Sequence, residues 1–416
     1  MFQITRLPSG LHVCTDTMHD VETVTLGIWV GIGSHYERPE ENGISHFLEH
    51  MVFKGTQKRS ALQISKEIED VGGILNAYTS TTITAFHAKV LYKDVALAMD
   101  VLSDMVQNAA MDPKELERER NVVLQEILRE NDTPDDMVFN YLHEAAYPGQ
   151  SAGRAILGTK ETLTSLTSQD LANYLHNEYT PERVVVSAAG KIEHEELLRL
   201  VNRYLTQLRS SSTHTLPTPV YHGGDYRKTK QIDQVNLVIG FQGVSLHHEL
   251  HYAQAVLSHL FGGSMSSPLF QEIREKRGLV YTISSFQESN TGLFGIYAGT
   301  GPVQVKELVP VVCDLTKHLP ETMTEKDIEN AKTQIKAHIL MSMEQTSTRA
   351  TTPASQQITL GRTLSLEERI QLIDDVNMSS VQKVLDIILH SKPTLAAHGP
   401  IDALMPYADF QQALTL

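Results

Sequence analysis

MDPKELERERNVVLQEILREND, running from Met111 to Asp132, is the stretch on which the fold turns. Asp112 can cap a helix start, Pro113 suits a first turn and Glu115 completes a capping box. Leu116, Val123 and Ile127 recur at helical spacing and form an apolar stripe that should face a core. A later stretch, MTEKDIENAKTQIKAHILMSMEQ from Met323, repeats the pattern, with Ile328, Ile335 and Ile339 in register with those three positions. Upstream, VTLGIWVGIGS from Val24 parallels VNLVIGFQGVS from Val235, each reading as a strand that leaves into a loop. Two matches in the same order suggest a duplicated domain. At that register Glu119 and Glu126 fall on Ala331 and His338, so any chemistry done by these acids belongs to the first copy alone.

Strand-like and helix-like segments interleave along the chain, which places it in the α+β (mixed α/β) class as two homologous domains. RSSSTHTLPTPVYHGGD, Arg209 to Asp225, breaks the periodicity with Ser, Thr, Pro and Gly and reads as a linker. The expected division is a first domain over 1–208, a linker over 209–226 and a second domain over 227–416. A length of 416 residues suits two or three domains, each able to bury a core without staples. Apolar residues are 41% and charged residues 20% of the chain, with no run near the roughly 18 to 20 apolar residues of a bilayer span. The start lacks a basic stretch leading into an apolar core, so no signal peptide is read. A soluble, cytoplasmic protein without membrane association is the expectation. Cys14 and Cys313 stand far apart in no C-x-x-C pattern, which suits a reducing compartment and excludes a cysteine zinc cage. A formal charge of -15 disfavours nucleic acid. It reads either as a solvating surface or as an acidic cavity that draws cationic peptides.

NGISHFLEHMVFKGT, Asn42 to Thr56, holds the densest set of ligand-capable residues. Asn42 can cap a short helix, Ile44, Phe47, Leu48 and Met51 give it apolar surface, and Gly55 offers a stop. On such a helix His46 and His50 share a face while Glu49 points at its edge. This H-x-x-E-H order suits Zn²⁺, whose catalytic sites take three protein ligands and keep one position for water. The helix from Asp112 is the natural source of a third ligand, because Glu119 and Glu126 lie two turns apart on one face and at least one can look at an ion. Other histidines fail by spacing: Glu249 sits opposite His247 and His251, and neither His143 nor His194 has a histidine four residues on.

With both segments quoted, the chain resembles the pitrilysin and insulysin superfamily of inverted-motif zinc metallopeptidases, above all its processing-peptidase branch. The likeness covers nearly the whole chain, and the 75 residues between His50 and Glu126 match the family's spacing. It implies two domains, each a mostly antiparallel sheet packed with helices. It implies one Zn²⁺ per chain held by His46, His50 and Glu126, with Glu49 as catalytic base and Glu119 as the acid beside the ligands. GGILNAYTSTTITAF from Gly72 resembles the edge strand that binds substrate by strand addition, which assigns substrate contacts to Asn76, Ala77 and Thr79. LFGGSMSSPLFQEIREKRGLVY, Leu260 to Tyr281, resembles the segment whose Arg and Tyr reach the substrate, here Arg274 and Tyr281, with a departure at Pro268.

The resemblance implies a hydrolase, a zinc metalloendopeptidase acting on extended peptides or unfolded polypeptide segments. A chain of this length holds half of the chamber found in longer members, so a homodimer is expected, the second domain of one subunit completing the site of the other. The rival readings are a non-catalytic assembly subunit, the catalytic half of a heterodimer, and a peptide-binding holdase.

Overall fold

The computed structural model describes residues 2–209 and 218–415, so positions 210–217 of the expected linker lie outside the described residues. Two sheets form. The first holds β1 (Phe2–Arg6), β2 (His12–Thr17), β3 (Thr23–Val30), β4 (Ile74–Thr79), β5 (Thr84–Leu91) and β6 (Val184–Gly190) in the order β1-β2-β6-β3-β5-β4. The second holds β7 (Asp225–Thr229), β8 (Val235–Gln242), β9 (Val280–Gln287), β10 (Leu293–Thr300) and β11 (Thr394–Gly399) in the order β7-β11-β8-β10-β9. In each sheet one pair is parallel, β2 with β6 and β7 with β11, and all the others are antiparallel. Apart from the added β1, the orders are the same, and the strands that begin at or near Val24 and Val235 are the matching strands β3 and β8. β3 and β8 are buried along almost their whole length, as strands covered on both faces must be.

The duplication extends to local devices that periodicity does not reveal. Gly190 and Gly399 end β6 and β11 with φ of +127° and +133°. A Cβ there would meet Thr23 O at 2.1 Å or Gln234 O at 2.4 Å, so each sheet needs glycine at this crossing. The helices α1 (Ile44–Val52), α2 (Ala61–Glu69), α3 (Val95–Asn108), α4 (Pro113–Asn131) and α5 (Pro134–Ala146) follow β3 and β5. α4 matches the later helix Glu325–Ser342. Arg120 of α4 donates to the carbonyls of Leu163 and Leu166 and pairs with Glu117. Lys332, at the matching position, donates to the carbonyls of Asp374 at 2.9 Å and Val376 at 3.0 Å and pairs with Glu329. In both copies a buried cation satisfies carbonyls at the end of a neighbouring helix.

The compact units are not contiguous halves. One comprises Met1–Ile127, Ala155–Pro217 and Leu340–Leu364; the other comprises Leu128–Arg154, Thr218–Ile339 and Ser365–Leu416. Relative to the expected division at the linker, each unit has received one helix from the other half of the sequence. In the first unit, Ala350 and Ala354 of the helix Thr346–Leu360 lie fully buried with Cys14, Trp29 and Val185 on the sheet face turned away from α1 and α3. In the second, Val138, Leu142 and Ala146 of α5 cover Val238, Leu293 and Ala396. Small residues permit this close approach: a Cβ on Gly240 would come within 2.7 Å of Leu142 Cδ1. No helix among the described residues is long and apolar enough to cross a membrane.

Candidate metal centre

The helix bearing the histidines forms as expected but begins differently. α1 spans Ile44–Val52, and its cap is Gly43 at φ +96° rather than Asn42. The free N–H groups at its start are met instead by Glu37, whose Oε2 accepts from Gly43 N at 2.7 Å and Asn42 Nδ2 at 2.9 Å, and whose Oε1 accepts from Ser45 N at 2.9 Å. Glu37 is 3% exposed; burial raises its carboxyl above the ordinary range, and these donors pull the other way. A carboxylate at a helix N-terminus also complements the macrodipole. Ile44, Phe47, Leu48, Met51 and Val52 sink into the first core, which leaves His46, Glu49 and His50 on the other side.

Across from α1 stands α4, started by Asp112, whose Oδ1 accepts from Lys114 N at 2.7 Å and Glu115 N at 3.3 Å. Leu116 and Val123 are buried in the core and Ile127 packs against it. That anchorage turns Glu119 and Glu126 towards α1. Glu126 Oε2 lies 3.4 Å from His50 Nε2 and 3.7 Å from His46 Nε2. Among the described residues, His46, His50 and Glu126 are the only set of three His, Cys, Asp or Glu whose ligand atoms gather so, all within 4.8 Å of one another. The imidazole planes meet at 61° with centroids 4.7 Å apart. Glu126 Oε2 and His46 Nδ1 are both buried without a hydrogen-bond partner. A bare carboxylate oxygen facing two imidazole nitrogens beyond hydrogen-bond length is costly unless a cation completes it. Two imidazoles and one carboxylate fit Zn²⁺.

The remaining groups are set around these three. Glu119, 6% exposed, accepts from His50 Nδ1 at 3.2 Å through Oε2 and meets Lys54 Nζ at 2.8 Å through Oε1. Glu49 Oε2 accepts from Thr79 Oγ1 at 2.6 Å. Burial raises the Glu49 carboxyl, and nearby Glu126 adds to the rise, whereas Thr79 and His50 oppose it. Burial, aided by the His50 ring, pushes His46 down to about 3, so its imidazole is neutral, the form that binds a metal, across the physiological range.

Asn76, Ala77 and Thr79 lie on β4, the outermost strand of the first sheet, paired among the described residues only with β5. Asn76 is exposed and Ala77 and Thr79 are half-buried. Arg274 and Tyr281 belong to the second unit. Arg274 sits in a π-helical segment, Phe270–Lys276, with its guanidinium 4.6 Å from the Phe270 ring and 5.6 Å from that of Tyr281, whose residue is 76% exposed. Pro268 opens the helical turn leading into this segment, a place where its missing N–H costs nothing.

The rejected histidines have structural roles: His194 bridges Thr15 and Thr5 through its two ring nitrogens, and His143 pairs with Glu288 at 2.6 Å. Sequence reasoning missed Glu37 and Lys54, and it named Thr79 as a substrate contact but not as the donor to Glu49. Of the two missed residues only Lys54 left a trace, standing four residues after His50 and so on the same face of a continued helix.

The family pattern described as Insulinase (Peptidase family M16) matches residues 12–160, and that described as Peptidase M16 inactive domain matches residues 165–335. An uncharacterized zinc protease of Bacillus subtilis is 38% identical, over 94% of this chain and 97% of its own. The mitochondrial-processing peptidase subunit beta of Bos taurus is 34% identical, over 99% of this chain and 86% of its own. A crystal structure of a protease from Helicobacter pylori superposes with a TM-score of 0.87 at 21% identity, covering 96% of this chain and 99% of that one. The chain belongs to the M16 peptidase family, alongside relatives named as zinc proteases and processing-peptidase beta subunits.

Proposed function

We propose that this chain is a zinc-dependent endopeptidase of extended or unfolded polypeptide segments, with His46, His50 and Glu126 holding one Zn²⁺ and Glu49 serving as the base. The observation that carries this reading is the unpartnered Glu126 Oε2 facing both imidazoles. When bound, such an ion supplies Lewis acidity, polarising a carbonyl and bringing the pKa of water to about 7.

The chain's own residues do the rest. Glu49, one residue before a ligand and lifted by burial towards working pH, takes a proton from the attacking water. Water oxygen bonds to the carbonyl carbon, the C–N bond then breaks, and Glu49 returns the proton to the departing amine. Thr79 fixes the carboxylate for both transfers, and Glu119 fixes His50. The free edge of β4 suits an incoming strand, which would receive main-chain hydrogen bonds beside Glu49. Strand addition takes only extended chains, so folded proteins would be spared. Arg274 and Tyr281 are proposed to anchor the substrate backbone or steady the oxyanion, supplied by the second unit of a partner copy in a homodimer. Preorganised donors of this kind typically contribute about 2.7 to 4 kcal/mol.

The test is Glu49→Gln compared with wild type, by zinc content and by cleavage of a quenched, unstructured peptide. The reading requires full zinc with turnover lost by several orders of magnitude. Undiminished cleavage by Glu49→Gln would remove the base, and a zinc-loaded wild type without turnover would favour a peptide-binding role.

A further inference from the structure

We propose that Lys54 is a positioning residue that keeps Glu119 under His50 and out of an ion's reach, thereby preserving the open position on which catalysis depends. This rests on the zinc reading above. α1 ends at Val52, and Lys54 N donates to Met51 O at 3.0 Å, so the chain continues the last turn and returns the side chain towards His50. Lys54 Nζ meets Glu119 Oε1 at 2.8 Å while Glu119 Oε2 accepts from His50 Nδ1 at 3.2 Å. Both oxygens of this buried carboxylate are therefore engaged. A carboxylate in an ion pair only accepts, so His50 Nδ1 is the donor and Nε2 carries the lone pair, aimed at Glu126 Oε2 3.4 Å away.

Glu119 would otherwise be a hazard to the site. It lies on the same face of α4 as Glu126, two turns earlier, and a carboxylate freed from its partners is itself a good ligand for a dication. Three carboxylates, Glu49, Glu119 and Glu126, surround the histidines; Lys54 and a divalent ion together balance their charge. Without Lys54 one negative charge is left over, and Glu119 is released to turn towards the ion and occupy the place that water needs. The consequence is an unusual sign: losing Lys54 tightens metal binding while slowing the reaction. General damage to the site would weaken both.

The experiment compares wild type, Lys54→Met, Lys54→Arg and the double variant Lys54→Met/Glu119→Gln. Zn²⁺ affinity is measured by competition with a chromophoric chelator, the visible d–d spectrum is recorded on Co²⁺-loaded protein, and thermal melts check folding. Lys54→Met is expected to bind Zn²⁺ tighter, by on the order of tenfold for one uncompensated charge at this range. Its Co²⁺ band should lose the intensity of a four-coordinate ion, and its peptide turnover should fall at least about tenfold. Lys54→Arg should keep the wild-type spectrum. The double variant, whose amide is a poor ligand, should lose the single variant's gain in affinity and recover the four-coordinate band, and it tests the idea even where the single variant folds badly. Unchanged or weaker Zn²⁺ binding by Lys54→Met with an unaltered Co²⁺ band overturns the role of Lys54. Failure of wild type to bind either ion overturns the zinc reading beneath it.

Discussion

The hydroxyl of Thr79 donates to Glu49 Oε2 at 2.6 Å and favours the charged carboxylate against the burial that disfavours it. Thr79→Val removes the opposing effect, so the Glu49 pKa rises further and the acid limb of the kcat/KM profile moves to higher pH. A limb that stays in place or moves to lower pH would separate Thr79 from the base. Glu37 is tested by stability: Glu37→Ala leaves the N–H groups of Gly43 and Ser45 without their acceptor and should cost about 2 kcal/mol in denaturant unfolding. The histidine pair was legible because its spacing is local, four apart on one helix; the spacing of Glu119 and Glu126 on another helix offered both acids, and the choice of Glu126 came from the family resemblance. Thr79 and the Lys54–Glu119 pair were hidden because each contact depends on where the fold carries a distant segment, and Glu37 because its reach to the start of α1 depends on how the irregular chain between them turns.

At the scale of elements, Arg120 and Lys332 do the same work in the two copies. Replacing either by Met strips two helix-end carbonyls of their buried donor, and each change should lower stability by about 1–3 kcal/mol in urea unfolding. A change of a few tenths in either would mean that water already serves those carbonyls. The pairing of Glu117 with Arg120 and of Glu329 with Lys332 was present in the aligned helices, yet an acid three residues before a cation reads equally as a solvated helix surface. The apolar stripe was decisive because only burial rewards it. The capping of α1 shows the limit of reading the nearest residue as the cap, since Asn42 gives way to the carboxylate of Glu37 a few residues earlier, which accepts from three donors.

In the whole molecule, the repeated strand order accounts for why two weak internal matches were enough to read the fold. What they could not reveal is the exchange of covering helices. α5 and the helix Thr346–Leu360 each follow a duplicated helix in sequence but bury their apolar faces on the sheet formed by the other half of the sequence, within the unit to which each belongs, and a composition break such as the linker carries no information about that. The proposed homodimer is a claim at this scale. Mixing an Arg274→Ala chain with a Glu49→Gln chain should restore part of the peptide cleavage that each lacks, because one of the two sites then has both groups intact; verified mixed dimers with no rescue would count against shared sites. The proposed zinc site depends on the carboxylate that α4 brings to the histidines of α1. The measurement that addresses it most directly is zinc titration of metal-free protein, wild type beside Glu126→Ala. One tightly bound ion per wild-type chain, lost or weakened by orders of magnitude in Glu126→Ala, is the predicted result, whereas equal zinc binding by the two proteins would contradict it.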